Sequence, residues 1–237
     1  MLAPTQPLGR AVRLPLRLIP KTAILPILSG ANRGLRWTVG AGTHGCWLGR
    51  YERQEIAWLI SQINPDAVVW DIGAHAGYVA MACARRCRRV VACEASPENV
   101  AFLRNHVTLN QLHNVSIVEA AISSRDGEFV SFGSAHDGYQ GRIGGQGATV
   151  RTSTIDGLVA AGLPAPSFVK MDIEGGEADA LQGGRVTLTR HRPSMLIAVH
   201  SEKLAKDCQI FLEQIGYTVA HVNVATLWAT AETVDKH

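Results

Sequence analysis

Acidic residues are missing from the first 50 positions of this chain, where Arg10, Arg13, Arg17, Lys21, Arg33, Arg36 and Arg50 all fall. The entry segment is therefore basic, suited to solvent or to an anionic surface such as a membrane face or a partner enzyme. The whole chain carries a formal net charge of only +3, too little to announce a nucleic-acid binder, which needs clustered basic residues interleaved with aromatics. Long apolar runs are missing as well. The stretch from Leu14 to Leu28 is broken by Pro15, Arg17, Pro20, Lys21 and Pro26, so it does not form a spanning helix, and a cytoplasmic protein is expected. Cys46, Cys83, Cys87, Cys93 and Cys208 make an odd set without a Cys-x-x-Cys pair, which argues against a disulfide framework and a structural zinc site. Cys83 and Cys87 stand four apart, one face of a helix, and read as packing residues.

What is present points to an alternation of strands and helices. The apolar run Val68-Val69-Trp70 ends in Asp71 and turns through Gly73 and Gly77, the pattern of a buried strand passing sharply into a helix whose first N–H groups face a ligand. Strands are expected at Val68–Asp71, Arg89–Cys93, Val115–Glu119, Ser167–Asp172 and Ser194–His200, with helices after most of them and a final antiparallel pair at Tyr217–Val222 and Ala225–Ala229. Ser96 and Pro97 make a good N-cap and first helical residue. The expected architecture is α/β: a Rossmann-like sandwich around a seven-stranded, mostly parallel sheet with an antiparallel last strand, ligands lying beyond the strand C-termini. Residues 1–33 read as a basic, Pro/Leu-rich extension and 34–237 as one domain, while the glycine-rich segment 126–150, with His136, Asp137 and Tyr139, reads as a loop that closes over substrate.

Spacing narrows the ligand. Tyr78 and Val79 after Gly77 exclude a phosphate loop, which needs Lys-Ser or Lys-Thr there. His75, at the position of the second glycine of a dinucleotide fingerprint, weakens that reading because its side chain obstructs a pyrophosphate. What remains, Asp-x-Gly-x-x-x-Gly, looks like the first motif of the S-adenosylmethionine (SAM) methyltransferases. Glu94, ending the second strand about 20 residues beyond Gly73, is placed to accept bonds from ribose hydroxyls. Asp172 and Glu174 follow the fourth strand and His200 ends the fifth. A neutral imidazole is the better base near pH 7, a carboxylate the better orienting group, and the three together could hold a divalent cation such as Mg²⁺. Glu177 reads as a helix cap, and His44, His75 and His136 as lesser pocket candidates.

Taken in order, Trp47-Leu-Gly-Arg-Tyr-Glu, Asp71-Ile-Gly-Ala-His-Ala-Gly, Glu94-Ala-Ser-Pro-Glu-Asn, Thr154-Ile-Asp and Lys170-Met-Asp-Ile-Glu-Gly-Gly-Glu resemble the FkbM family of SAM-dependent methyltransferases. The chain differs from the common pattern at His75 (commonly Asn), at Ala95 (commonly Pro) and in lacking an acid just before His200. The resemblance implies a class I methyltransferase fold and O-methylation of a sugar, polyketide or similar metabolite. It implies cofactor contacts at Asp71, Gly73, Ala74, His75, Gly77, Glu94, Ala95 and Asp172, adenine recognition at Glu119 and Ala120, and Tyr51 and Glu52 folded over the methionine end. Catalysis would fall to His200, Asp172 and Glu174. An N-methyltransferase and a non-catalytic SAM- or nucleotide-binding protein are the competing readings; the first usually carries prolines after the fourth strand's polar residue, which Asp172-Ile-Glu-Gly lacks. A small-molecule or glycan hydroxyl is the expected acceptor, no nucleic acid is expected as partner, and a homodimer is compatible with the basic N-terminus.

Overall fold

A computed structural model describes residues 18–134, 141–143 and 147–231. Most of the N-terminal extension, together with His136, Asp137 and Tyr139, lies outside the described residues. The described chain opens with a hairpin of β1 (Ile24–Pro26) and β2 (Arg36–Thr38), followed by α1 (His44–Leu48) and α2 (Arg53–Gln62). The boundary expected at 33/34 thus falls inside a paired hairpin, and Ile27 and Asn32 are both buried. Next come β3 (Val68–Ile72), α3 (Tyr78–Ala84), β4 (Arg89–Glu94), α4 (Pro97–Leu109) and β5 (Val115–Glu119). After an inserted segment the alternation resumes with β10 (Phe168–Met171), α6 (Glu177–Gln182), α7 (Arg185–His191), β11 (Ser194–Ala198), α8 (Glu202–Gln214), β12 (Tyr217–Asn223) and β13 (Thr226–Ala231).

These strands form one seven-stranded sheet in the order β12-β13-β11-β10-β3-β4-β5. The pairs from β11 to β5 are parallel, and β13 runs antiparallel to both its neighbours, as the alternation of elements predicts. Period-two side-chain alternation splits the core between the two faces. Val69, Val90 and Ala92 pack with α3, α4 and the hairpin on one face. Val68, Trp70, Val91 and Met171 pack with α6, α7 and α8 on the other.

The inserted segment corrects an expectation. Within residues 126–150 and their flanks the described chain forms strands, not a loop: β6 (Ala121–Ile122), β7 (Phe129–Ser134), β8 (Gly141–Ile143) and β9 (Ala148–Ser153) make a four-stranded sheet in the order β6-β9-β7-β8. The short helix α5 (Ile155–Ala160) follows. Alternation in β7 was present in the sequence, with Val130 and Phe132 half-buried and Phe129 and Ser131 exposed; the surrounding glycines obscured it.

Candidate active site

The turn after β3 is held by main-chain bonds. The amides of Gly73 and Ala74 both donate to Cys93 O at 2.9 Å, and Gly77 N–H donates to Ala74 O at 2.8 Å. Gly73 and Gly77 have φ of 85° and 92°, where glycine carries no Cβ penalty. Gly73 has a second reason to be glycine, since a Cβ there would lie 1.8 Å from Asp172 O. The turns that follow β3 and β10 therefore touch backbone to backbone. His75 also takes a left-handed conformation, φ 49°, unusual for a side chain of its size.

Glu94, at the tip of β4, is 6 % exposed and ties this turn to the next. Its Oε2 accepts from His75 N–H at 2.7 Å, and its Oε1 from Ser96 N–H at 2.8 Å and Asn99 Nδ2 at 3.4 Å. Three of about four acceptor sites are filled by the protein, so one carboxylate sets the relative position of two loop amides and the head of α4.

At the other end the site is built from side chains. Lys170 pairs in register with Asp71 on β3, and its Nζ lies 3.7 Å from Asp71 Oδ1 and 3.7 Å from Asp172 Oδ2. Asp71 is fully buried and neither oxygen has a hydrogen-bond partner among the described residues; burial pushes its carboxyl up against the pull of Lys170. Burial alone would neutralise Lys170, but the two carboxylates outweigh it and hold the ammonium charged. Burial also works against ionised Asp172, yet Lys170 and a bond to His200 bring its carboxyl down to about 2.

His200 follows β11 and sits among three acids. Its Nε2 is 3.1 Å from Asp172 Oδ1 and 3.8 Å from Glu177 Oε1, and its Nδ1 is 3.5 Å from Glu174 Oε2. The Asp172 bond raises the imidazole above its ordinary range despite opposing burial. Burial raises the carboxyls of Glu174 and Glu177. One ligand atom from each of Asp172, Glu174 and His200 can be chosen so that all lie within 4.8 Å of one another. Glu177, expected as a cap, instead reaches back: its side chain is fully buried and accepts from Ile173 N–H and Gly175 N–H, both at 3.0 Å. It braces the turn that carries Asp172 and Glu174.

Both ends open into one cavity of about 760 Å³, beyond the C-terminal ends of the parallel strands, within the common range of ~300–1,000 Å³ for small-molecule sites. Gly73, Ala74, His75, Glu94, Ala95, Ala120, Asp172 and Glu174 line it, together with Tyr51 and Glu52. Asp71 and Gly77 lie behind that wall, and His200 meets it through Asp172 and Glu174. Glu119 is not brought there. It is exposed, paired with Arg104 at 3.1 Å, because the last side chain of β5 points to solvent while the next residue, Ala120, turns inward. His44 accepts from Trp47 Nε1 at 3.1 Å and is not a wall residue.

Sequence reasoning passed over several members of the site. Val130 and Phe132 of β7 line the cavity, as do Trp37 and Cys46 near the N-terminus. The N-terminal hairpin is pinned by His106, fully buried on α4, whose Nε2 accepts from Thr38 N–H at 3.0 Å and whose Nδ1 faces Ala76 O at 2.8 Å. Trp37 stacks on this ring, centroids 4.1 Å apart. Asn110 exchanges bonds with Arg36 N–H and C=O at 2.7 and 2.9 Å. Asn110 thus pairs with β2 as another strand would.

Comparison with known proteins gives a consistent family. The model described as Methyltransferase FkbM domain matches residues 71–222. The hexuronic acid methyltransferase AglP of Haloferax volcanii is 30% identical over 138 residues, which are 56% of this chain and 56% of that protein; the match thus spans about half the length of this curated relative. Among solved structures, methyltransferase FkbM from Methylobacillus flagellatus KT aligns with a TM-score of 0.55 at 20% identity, over 70% of this chain and 44% of that one. Precorrin-6y C5,15-methyltransferase from Geobacter metallireducens GS-15 aligns with a TM-score of 0.51 at 19% identity, over 75% and 86%. These two likenesses speak to the fold.

Proposed function

The chain belongs to the FkbM methyltransferase family, and from that premise we propose that it transfers the methyl group of SAM to a hydroxyl of a sugar or similar small metabolite. One observation carries the reading: a single cavity joins the glycine turn and Glu94 at one end to Asp172 and Glu174 at the other, with His200 3.1 Å behind Asp172. The first end suits a nucleoside, its turn offering backbone room at Gly73 and its acid a remaining acceptor site for ribose. Ala95 and Ala120 suit an adenine edge, and Tyr51 and Glu52 the methionine end. The second end suits chemistry.

The sulfonium of SAM is already an activated methyl donor, so the protein has two tasks. It aligns an acceptor oxygen behind the methyl carbon, which supplies a large part of the rate, and it removes the hydroxyl proton, a contribution of ~10² to 10⁴-fold. The oxygen–carbon bond forms as the carbon–sulfur bond breaks, sulfur keeps the pair, and S-adenosylhomocysteine leaves. The proton leaves by way of the wall carboxylates Asp172 and Glu174 to the His200 ring behind them, 3.1 and 3.5 Å away, which holds it. The sugar acceptor is supported by the activity named for the Haloferax relative.

A second reading of the same edge has its own support. The clustering of one donor atom each from Asp172, Glu174 and His200 suits a hard divalent cation such as Mg²⁺, which would lower the acceptor's pKa in place of a base. Turnover that survives chelation and falls in His200→Ala supports the base; turnover abolished by chelation and restored by Mg²⁺ supports the cation. The reading as a whole is tested by calorimetric titration of SAM, S-adenosylhomocysteine and NAD into the wild type and Glu94→Ala. Micromolar binding of both sulfur compounds, weakened in the variant, is expected. Absence of binding, or preference for NAD, would overturn it.

A further inference from the structure

We propose that a basic face at the N-terminal end of the sheet docks this protein on an anionic phospholipid bilayer. The face is built on Arg85-Arg86-Cys87-Arg88-Arg89, the bend between α3 and β4, where the four arginines are exposed and the cysteine is buried. The bend is rigid. Asn114 Nδ2 donates to Ala84 O at 2.8 Å and Cys87 O at 3.1 Å, and the amides of Arg88 and Arg89 both donate to Ala67 O at 3.1 and 3.3 Å. The charges therefore sit on a fixed backbone.

Arg85 extends the face to the N-terminal hairpin. Its Nη1 donates to Ala31 O at 2.7 Å and Arg33 O at 3.2 Å, which holds the exposed Arg33 beside the bend. Among the described residues, none of Arg33, Arg85, Arg86, Arg88 and Arg89 forms an ion pair with a carboxylate. Asp66 is the exposed acid next to the bend, preceding Ala67 in the chain. A surplus of positive charge this dense, left without carboxylate partners among the described residues, is matched by a surface of phosphates.

The choice of a bilayer over a nucleic acid rests on what accompanies the arginines. The loop of the hairpin that Arg85 grips also presents Leu28 to solvent, 55% exposed. Arg85 and Arg86 themselves border a shallow depression whose rim carries half-buried Ile60 and exposed Pro65. These side chains are aliphatic, fit to enter the acyl boundary beneath phosphate headgroups, whereas a single-stranded nucleic acid is held by aromatic platforms that stack on bases and a duplex makes no use of aliphatic side chains beside its phosphates. The described residues hold no helix long and apolar enough to cross a membrane. The cavity lies at the opposite ends of the parallel strands, and docking leaves its mouth free.

The test is cosedimentation of the full chain with phosphatidylcholine vesicles, with and without phosphatidylglycerol, at low and high salt. Each arginine near an anionic bilayer strengthens association about fivefold, so Arg86→Glu/Arg88→Glu weakens binding about a hundredfold or more. We expect sedimentation with phosphatidylglycerol vesicles alone, release by salt, loss in the double Glu variant, and retention in Arg86→Lys/Arg88→Lys; the unfolding temperatures of all three proteins should agree. The proposal is overturned if the wild type ignores phosphatidylglycerol vesicles. It also fails if the double Glu variant, folded, sediments like the wild type, or if an RNA or DNA oligonucleotide displaces the vesicles at equal salt.

Discussion

The two ends of the cavity are built by different means. At the end formed by the glycine turn, backbone amides hold one carboxylate, and the geometry follows from chain path and two glycines. At the other end, Asp71, Lys170, Asp172, Glu174, Glu177 and His200 hold one another through charge, and the geometry depends on which of them carry protons. The first arrangement fails when the backbone is disturbed; the second fails when a charge is removed or the pH changes.

The largest effect should come from breaking the first arrangement where it meets the second. Gly73→Ala puts a methyl group against Asp172 O at a positive φ. It should destabilise the fold by on the order of 3 kcal/mol or more and abolish SAM binding, read by thermal melting and calorimetry. His200→Ala should show the converse, a fall of ~10² to 10⁴-fold in methyl transfer with SAM affinity unchanged. Equal losses of affinity and turnover would erase the distinction between the two ends. Lys170→Met leaves Asp71 and Asp172 without their shared cation and should cost about 3 kcal/mol of stability in denaturant titration, whereas a surface lysine would cost nothing measurable. Glu94→Gln, which keeps shape but replaces one acceptor oxygen with a donor, should weaken SAM binding about tenfold while unfolding cooperatively.

The smallest effect separates two histidines by sign. His106 is neutral in the fold, its value lowered by burial and its Nε2 committed to accepting from Thr38 N–H. Its contribution is present above the ordinary value of 6.5 and is lost as pH falls toward its lowered native value, because the unfolded chain takes up the proton first. His200 has a raised native value, so its contribution is present below the ordinary 6.5 and is lost as pH rises through the native one. Melting curves across this range should lose an acid-side loss of stability in His106→Gln and an alkaline-side loss in His200→Gln.

The sequence legibility of the two ends follows the same division. The β3 turn, the Glu94 tip and the succession of strands along the chain are local patterns, an apolar run ending in glycine or acid, and the structure repeats them. Lys170 stood out in the sequence only as part of a motif, because only its register against β3 places it beside Asp71. Glu177 read as a cap because its position at the start of a helix is local information, while its two bonds run back into the preceding turn. Glycine content hid the strands of the inserted sheet. His106 carried no signal at all: its partners, Thr38 and Ala76, are contributed by other elements.

Pinning of the hairpin by α4 also sets an order of events. Thr38 cannot find its acceptor until His106, 68 positions later, has been made, and Arg36 waits 74 positions for Asn110. Residues 18–38 therefore leave the ribosome well before the surface that receives them exists. The β1–β2 pair alone, two short strands, is not stable in water, so this segment docks onto α3 and α4 after they have formed. This wall of the cavity, made early in synthesis, thus waits for a surface made later.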